Sequence, residues 1–146
     1  WWGGAQSAFI QNAIEGKTLE IHGDGTQTRT YTYIDDLVDG IKLCMFKDQA
    51  CNQIFNLGND DAGEIDVLTL ATFILEKICG NGHQDMIKFV PYSTLGKYED
   101  VLRRKPDITK AKEMLGFRPK VSLEEGLQKT IEWQLNLYKN DRSIKR

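Results

Sequence analysis

The sequence lacks most of the patterns that mark a membrane protein or a self-contained enzyme. No apolar run approaches about 18 residues, the length that a membrane-spanning helix needs. There is no G-x-G-x-x-G loop, P-loop, G-x-S-x-G or H-E-x-x-H motif, so neither a nucleotide-binding βαβ unit nor a complete catalytic constellation is visible. The formal net charge is −2, which leaves no basic excess for nucleic acid. We expect neither a membrane nor a nucleic acid as partner.

Cysteine is scarce too, with three residues at irregular spacing and no C-x-x-C pair. His22 and His83 do not stand at zinc-site spacing from any of them, so we expect no metal. Cys44 and Cys79 fall inside apolar helical patterns, where a thiol behaves as a small core side chain. This usage agrees with a reducing compartment, and the expected location is the cytoplasm.

The chain opens on two tryptophans rather than on methionine, without the basic region and apolar core of a secretory signal. This start suggests a fragment, a processed product or a partly covered longer protein. The chain's 146 residues and apolar fraction of 40% are enough for one domain with a hydrophobic core.

Hydrophobic periodicity predicts a mixed α/β chain with short strands and no internal repeat. A turn is expected at residues 23–25, where glycine supplies a positive φ. Five helices are predicted: at 5–15, from Asp35 or Asp36 onward, from the residue after Asp66 to Cys79, at 109–115 and at 122–138. Strands are predicted at 19–21, 28–34, 53–59 and 87–92.

Capping residues mark several of these helices. Asp66 is expected to cap the third helix, and Ser122 with Glu125 forms an S-x-x-E capping box for the last one. Asp35 or Asp36 is expected to cap the second helix. The expected buried face of that helix consists of Leu37, Ile41, Cys44 and Met45.

The segment "GDGTQTR" is a first candidate anion site. Its glycine turn allows a ligand to approach the backbone, and Gln27 and Arg29 leave an extended segment on the same face. An amide beside a guanidinium suits the acceptor oxygens of a phosphate or diphosphate. The same residues are also compatible with a hairpin that carries a solvated arginine.

The segment "RRKPD" is a second candidate. Arg103 and Arg104 are adjacent, so in extended backbone they point to opposite sides and only one can face a site. Pro106 biases Lys105 away from helix, and Asp107 or Thr109 then caps the next helix. A solvated bend before a helix would have the same composition.

Three blocks in order, "GDGTQTRTYTYIDDLVDGI", "FNLGN" and "RRKPDITKAKEMLGFRPKVSLEEGL", resemble the C-terminal part of the extended short-chain dehydrogenases/reductases. These are the NAD-dependent nucleotide-sugar epimerases, dehydratases and decarboxylases. The resemblance covers roughly residues 8–135. Within the family, "GKYEDVLRRKPDITKAKEMLGFRPK" is most similar to the UDP-glucuronic acid decarboxylases. The implied fold is the α/β substrate-binding portion of such an enzyme, with some elements packing on a Rossmann lobe outside these residues.

The resemblance also implies roles for individual residues. The segment 20–29, which includes Ile21 and His22, matches a lining of the UDP-sugar site. Gln27 and Arg29 match a pair that contacts the nucleotide and its phosphates. His22 stands where the family often has an aromatic residue, and Glu20 where a close relative has lysine.

Further roles come from the later blocks. Tyr98 matches a tyrosine that touches the substrate. Arg104 matches the arginine that reaches the sugar and diphosphate, and that is proposed as the general acid in the decarboxylases. Arg103 has no such match and is expected to face solvent. Asp36 matches the aspartate of "Y-x-x-D", expected to be a helix cap and structural anchor.

The resemblance implies NAD as cofactor, bound by an N-terminal part that precedes these residues together with the family's Y-x-x-x-K pair. Residues 1–138 would then bind a UDP-sugar, with 139–146 a polar tail, and the segment alone would be inactive. The full-length protein is expected to be a homodimer. The alternatives are a 4-epimerase or 4,6-dehydratase, a non-catalytic nucleotide-sugar or protein-binding module, and a structural domain. Apolar surface is expected at Leu37, Ile41, Ile54, Phe55 and Leu57.

Overall fold

The computed structural model of the protein describes residues 4–95 and 100–144 and is of the mixed α/β class, as expected. The helices of these residues are α1 (Ala5–Ile14), α2 (Ile34–Phe46), α3 (Val67–Cys79), α4 (Thr109–Leu115) and α5 (Leu123–Ile144). The strands are β1 (Leu19–His22), β2 (Thr28–Thr30), β3 (Glu64–Asp66), β4 (Ile87–Val90) and β5 (Arg103–Arg104). Two compact units are formed, each from several stretches of chain.

Of the described residues, the first unit comprises 4–27, 66–95, 100–102 and 128–144. It contains a parallel pair of strands, β1 and β4, whose register joins Leu19 to Ile87 and His22 to Val90. Helices α1 and α3 pack on each other and on β1. Buried apolar side chains from these elements build the core, namely Phe9, Ile10, Leu19, Ile21, Leu70 and Ile74.

The second unit comprises residues 28–65 and 103–127. Its sheet has the strand order β3-β2-β5, and β2 and β5 run parallel. A small core of Ile108, Ala111 and Phe117 packs against half-buried Leu43, Phe55 and Leu57. This core seats α4 and thereby positions the chain segment that leads into it from β5.

Several helix boundaries agree with the sequence signals. The Asp66 carboxylate accepts a hydrogen bond from the Thr69 N–H at 2.8 Å, and Gly80 ends α3 with a φ of +87°. Ser122 Oγ accepts from the Glu125 N–H at 3.2 Å, which is one half of the expected capping box. Helix α5 continues beyond Tyr138 to Ile144, further than its polar composition suggested.

The expected cap of α2 is wrong. The N-cap position is Tyr33, and both Asp35 and Asp36 lie in the first helical turn. The Asp36 carboxylate is buried and accepts hydrogen bonds from the Lys120 and Val121 N–H groups, both at 2.9 Å. It is therefore an anchor between segments, as expected, but not a cap.

The expected buried face of α2 is wrong as well. Ile41 and Met45 are 45% and 69% exposed, and Leu37 and Cys44 are only half-buried. Within the described part of the chain, Ile41 and Met45 of the apolar stripe that the periodicity marks are thus left largely uncovered.

Residues 53–59 do not form the predicted strand, because no ladder partner exists for them within the described ranges. Phe55 and Leu57 are half-buried against the small core, so the apolar surface expected at these two residues is wrong, whereas Ile54 is 87% exposed as expected. The strand predicted at 28–34 is limited to β2, since Ile34 already begins α2. None of the helices in the described part of the chain has the length and apolar character needed to cross a bilayer.

Candidate functional site

The glycine turn after β1 forms as expected in the first unit. Gly23 and Gly25 have φ angles of +78° and +81°. The Asp24 carboxylate accepts from the Thr26 N–H at 3.0 Å and from its hydroxyl at 2.7 Å, and these bonds lower the pKa of Asp24. A Cβ at Gly23 would lie 2.4 Å from the Tyr92 ring, so a side chain cannot fit there without displacing that ring.

The site residues predicted around this turn are placed as follows. His22 is half-buried at the end of β1, and its carbonyl accepts a hydrogen bond of 2.9 Å from the Gln27 side-chain amide. Gln27 is 5% exposed, so its buried side chain joins the two ends of the glycine turn within the protein interior. Ile21 is 0% exposed and belongs to the core, which leaves only its backbone for contact with a ligand.

Tyr98 lies outside the described residues. The chain on either side of that stretch is described, and there the Tyr92 hydroxyl donates to the Asp100 carboxylate at 2.9 Å. This bond ties the segment before Tyr98 to the segment after it. The ring of Tyr92 thus contacts both the glycine turn and the flank of the expected substrate tyrosine.

The second unit brings together the two arginines that the sequence marked as phosphate ligands. Arg29 of β2 and Arg104 of β5 are Cα partners in the parallel register. Partners in adjacent strands lie about 4.8 Å apart and send their side chains to the same face of a sheet. Arg104 is exposed, and none of the described side chains forms an ion pair with it.

Arg29 is partly buried and held locally. Its Nη1 donates to the Thr28 carbonyl at 2.7 Å. Tyr31 lies two residues further along the chain, and burial raises its pKa. The charge of Arg29 opposes this effect but is the smaller of the two. One member of the arginine pair is therefore restrained by its surroundings, and the other reaches into solvent.

Arg103 leaves β5 on the opposite face, as strand alternation requires. It is exposed, as expected, but it is not merely a solvated charge. Its Nε and Nη2 donate to the two carboxylate oxygens of Glu64 at 2.7 and 2.8 Å. The same carboxylate accepts from the Thr28 hydroxyl at 2.7 Å, and these bonds lower the pKa of Glu64 to about 2.

Glu64 was missed by sequence reasoning. Its two partners, Thr28 and Arg103, lie 36 and 39 positions away, so no local pattern marks it. A helix cap or a turn can be predicted from residues that lie within a few positions of one another in the sequence. A pairing that exists only across a sheet leaves no such local signal.

A cleft of about 610 Å³ lies on the Arg103 side of the second unit, lined by residues that include Lys105 and Asp107. Lys112 forms an ion pair with Asp60 there, and their hydrogen bond lowers the pKa of Asp60. The Asp107 carboxylate accepts from the Thr109 N–H at 2.9 Å, which lowers the pKa of Asp107. The N-cap position of α4 is Ile108, not Asp107 or Thr109 as expected. The cleft presents charges of both signs, whereas Arg29 and Arg104 are two like charges side by side.

These features define an α/β chain that carries a glycine turn in one unit and a pair of adjacent arginines in the other. Residues 6–130 match the family model of GDP-mannose 4,6 dehydratase, and the chain belongs to that family. The resemblance to nucleotide-sugar epimerases, dehydratases and decarboxylases is thereby confirmed.

Two curated relatives are UDP-glucuronic acid decarboxylases. The chain is 39% identical over 127 residues to UDP-glucuronic acid decarboxylase 1 of Danio rerio, a match that covers 87% of this chain and 28% of the relative. It is 42% identical over 121 residues to UDP-glucuronic acid decarboxylase 2 of Arabidopsis thaliana, covering 83% and 25%. The chain thus spans about a quarter of the length of these two relatives.

A solved structure supports the same placement. The chain is similar to UDP-glucuronic acid 4-epimerase from Bacillus cereus in complex with UDP-glucuronic acid and NAD. The TM-score is 0.79 at 29% identity, over 93% of this chain and 41% of that one.

Proposed function

We propose that this chain is the substrate-binding part of an NAD-dependent enzyme that modifies a nucleotide sugar. The proposed reaction is that of a UDP-glucuronate decarboxylase, which oxidises the sugar at C4 and then removes its carboxylate as carbon dioxide. The observation that carries the proposal is the register pairing of Arg29 with Arg104. The names and substrates of the relatives agree with it.

Two guanidinium groups on one sheet face suit a diphosphate. Each offers planar pairs of N–H donors to phosphate oxygens, and strand spacing of about 4.8 Å separates the two backbones. Bound together they would neutralise the two charges of the pyrophosphate bridge. Arg104 would also reach the sugar. Its role would be either to hold the phosphate or to protonate the decarboxylated intermediate.

The remaining predicted ligands complete the proposal. Gln27 and His22 would contact the nucleotide beside the glycine turn, Ile21 would contribute backbone, and Tyr98 would touch the sugar. Residues 1–138 form the proposed nucleotide-sugar-binding portion, and 139–146 the proposed tail.

The cofactor would supply hydride transfer at C4. The sequence has no glycine-rich βα turn, so these residues do not provide an NAD site. We propose that NAD is held by a part of the protein outside this chain. These 146 residues would then bind substrate without turning it over.

The experiment is calorimetric titration of the full-length protein with UDP, UDP-glucuronate and UDP-glucose, followed by product analysis with NAD. Tightest binding of UDP-glucuronate, with release of carbon dioxide and a pentose product, is the expected result. A C4-epimerised uronate would instead favour the 4-epimerase, for which the similarity to the Bacillus cereus enzyme is the supporting observation. Binding without any product would favour a non-catalytic module. Absence of binding to all three ligands would contradict the proposal.

Location and assembly are further parts of the proposal. Three cysteines, none of them in a disulfide, agree with a reducing cytoplasm. A homodimer is proposed for the full-length protein, and sedimentation analysis would test it. A monomer at micromolar concentration would contradict that assignment.

A further inference from the structure

The carboxylate of Glu64 connects all three strands of the sheet in the second unit. Glu64 belongs to β3, its oxygens accept from Thr28 of β2 at 2.7 Å, and they accept from Arg103 of β5 at 2.7 and 2.8 Å. The strand order is β3-β2-β5, so the side chain of an outer strand reaches past the middle strand to the other edge. We call this set of three residues the Glu64 clasp.

Strand β5 is short. It consists of two exposed residues, and its register with β2 rests on two Cα pairs. The Thr30 hydroxyl donates to the Arg104 carbonyl, but at a long 3.3 Å. A strand this short forms few ladder hydrogen bonds, so side-chain contacts contribute a large share of its order.

The two arginines of β5 lie on opposite faces of the sheet and have different partners. Arg103 is gripped by the carboxylate on one face, and alternation sends Arg104 to the other, beside Arg29. A bidentate bond restrains both the position and the rotation of the strand that carries it. Holding Arg103 therefore fixes the backbone from which Arg104 extends.

We propose that Glu64 is a positioning residue, which sets β5 in register through Arg103 so that Arg104 lies ready beside Arg29 for a diphosphate. The identity of that ligand rests on the proposed function. An ordered strand loses less conformational entropy when ligand binds, so the clasp strengthens binding without touching the ligand. Arg104 without the clasp would have to be ordered by the ligand itself.

The test uses the full-length protein, with UDP as probe and dissociation constants from calorimetry. Glu64→Gln and Arg104→Ala are each expected to weaken UDP binding by at least about tenfold, as for loss of one charge-assisted hydrogen bond. The double variant is expected to be little weaker than Arg104→Ala alone, because both changes act through the same guanidinium. Asp39→Asn, which removes the carboxylate of a surface ion pair with Lys42, is the matched control and should bind as the unchanged protein does. Wild-type affinity in Glu64→Gln, or a double variant weakened by the product of the single effects, would overturn the proposal.

A second measurement works without ligand. Amide hydrogen exchange at residues 103–105 should be clearly faster in Glu64→Gln than in the unchanged protein or in Asp39→Asn. Unchanged exchange there would overturn the positioning role whatever the ligand proves to be. If the unchanged protein binds neither UDP nor a UDP-sugar, the proposed function fails, and the exchange result alone decides the role of Glu64.

Discussion

Arg29 and Arg104, far apart in sequence, are register partners on adjacent parallel strands. The strands place two cations on one face of a sheet, an arrangement that costs electrostatic energy unless an anion lies between them. Arg103, the neighbour of Arg104, is neutralised by Glu64 on the other face. The pairing therefore separates a structural arginine from one that is available to a ligand.

The first prediction concerns this pair. In the full-length protein, Arg29→Ala and Arg104→Ala should each weaken binding of UDP-glucuronate by about 1.5–3 kcal/mol, the range for hydrogen bonds to charged groups. Arg104→Lys should recover only part of the loss, because an ammonium cannot form the bidentate contact. Calorimetric titration measures both, with Asp39→Asn as control. Unchanged affinity in both alanine variants would remove the two arginines from the site.

The second prediction concerns Asp36. Its buried carboxylate accepts from two backbone N–H groups, so Asp36→Ala should reduce the free energy of unfolding by about 2–4 kcal/mol through the loss of both bonds. The adjacent Asp35 is exposed, and Asp35→Ala should cost less than about 1 kcal/mol, the value of an acid in a first helical turn. Urea denaturation compares the two. Equal costs would mean that Asp36 acts only through the helix dipole.

The third prediction separates backbone strain from steric exclusion at two glycines. Gly16 and Gly23 have similar φ angles of +69° and +78°, but only at Gly23 would a Cβ meet another group. Gly16→Ala should cost about 1–2 kcal/mol, the penalty of the left-handed region. Gly23→Ala should cost at least about 1 kcal/mol more, since it must also displace the Tyr92 ring. Thermal unfolding of both variants checks the difference, and Tyr92→Ala combined with Gly23→Ala should reduce it.

The fourth prediction concerns acid stability. Arg103 and Thr28 lower the pKa of Glu64 from 4.5 to about 2 in the folded protein. A depressed folded-state pKa adds stability that is complete above pH 4.5 and is lost as the pH falls through about 2. The stability difference between the unchanged protein and Glu64→Gln should therefore be constant above pH 5 or so and shrink towards pH 2. Chemical denaturation across this range measures it, and a difference independent of pH would show that the carboxylate charge is not involved.

The fifth prediction concerns the apolar face of α2. Ile34, Ile41 and Met45 are exposed, and so is Ile54. We expect the isolated segment to aggregate, and Ile41→Glu with Met45→Glu to increase its solubility while impairing folding of the full-length protein. Light scattering and expression yield measure the two effects. A sharp, cooperative unfolding transition of the isolated, unchanged segment would contradict this prediction.

The features that the sequence alone determined are local ones. The cap at Asp66, the helix stop at Gly80 and the turn at Gly23 each depend on residues within a few positions of one another, so local sequence is enough to predict them. The opposite faces of Arg103 and Arg104 follow from strand alternation in the same way.

Tertiary structure alone decided which of these local features meet. The pairing of Arg29 with Arg104, the Glu64 clasp and the bonds from Asp36 to residues 120–121 all join distant segments, and no local pattern encodes such a contact. For the same reason, the strand predicted at 53–59 and the buried face predicted for α2 were wrong. An apolar pattern indicates that a surface is to be covered, but it does not indicate which segment covers it. That information lies in the packing partner, which local sequence does not contain.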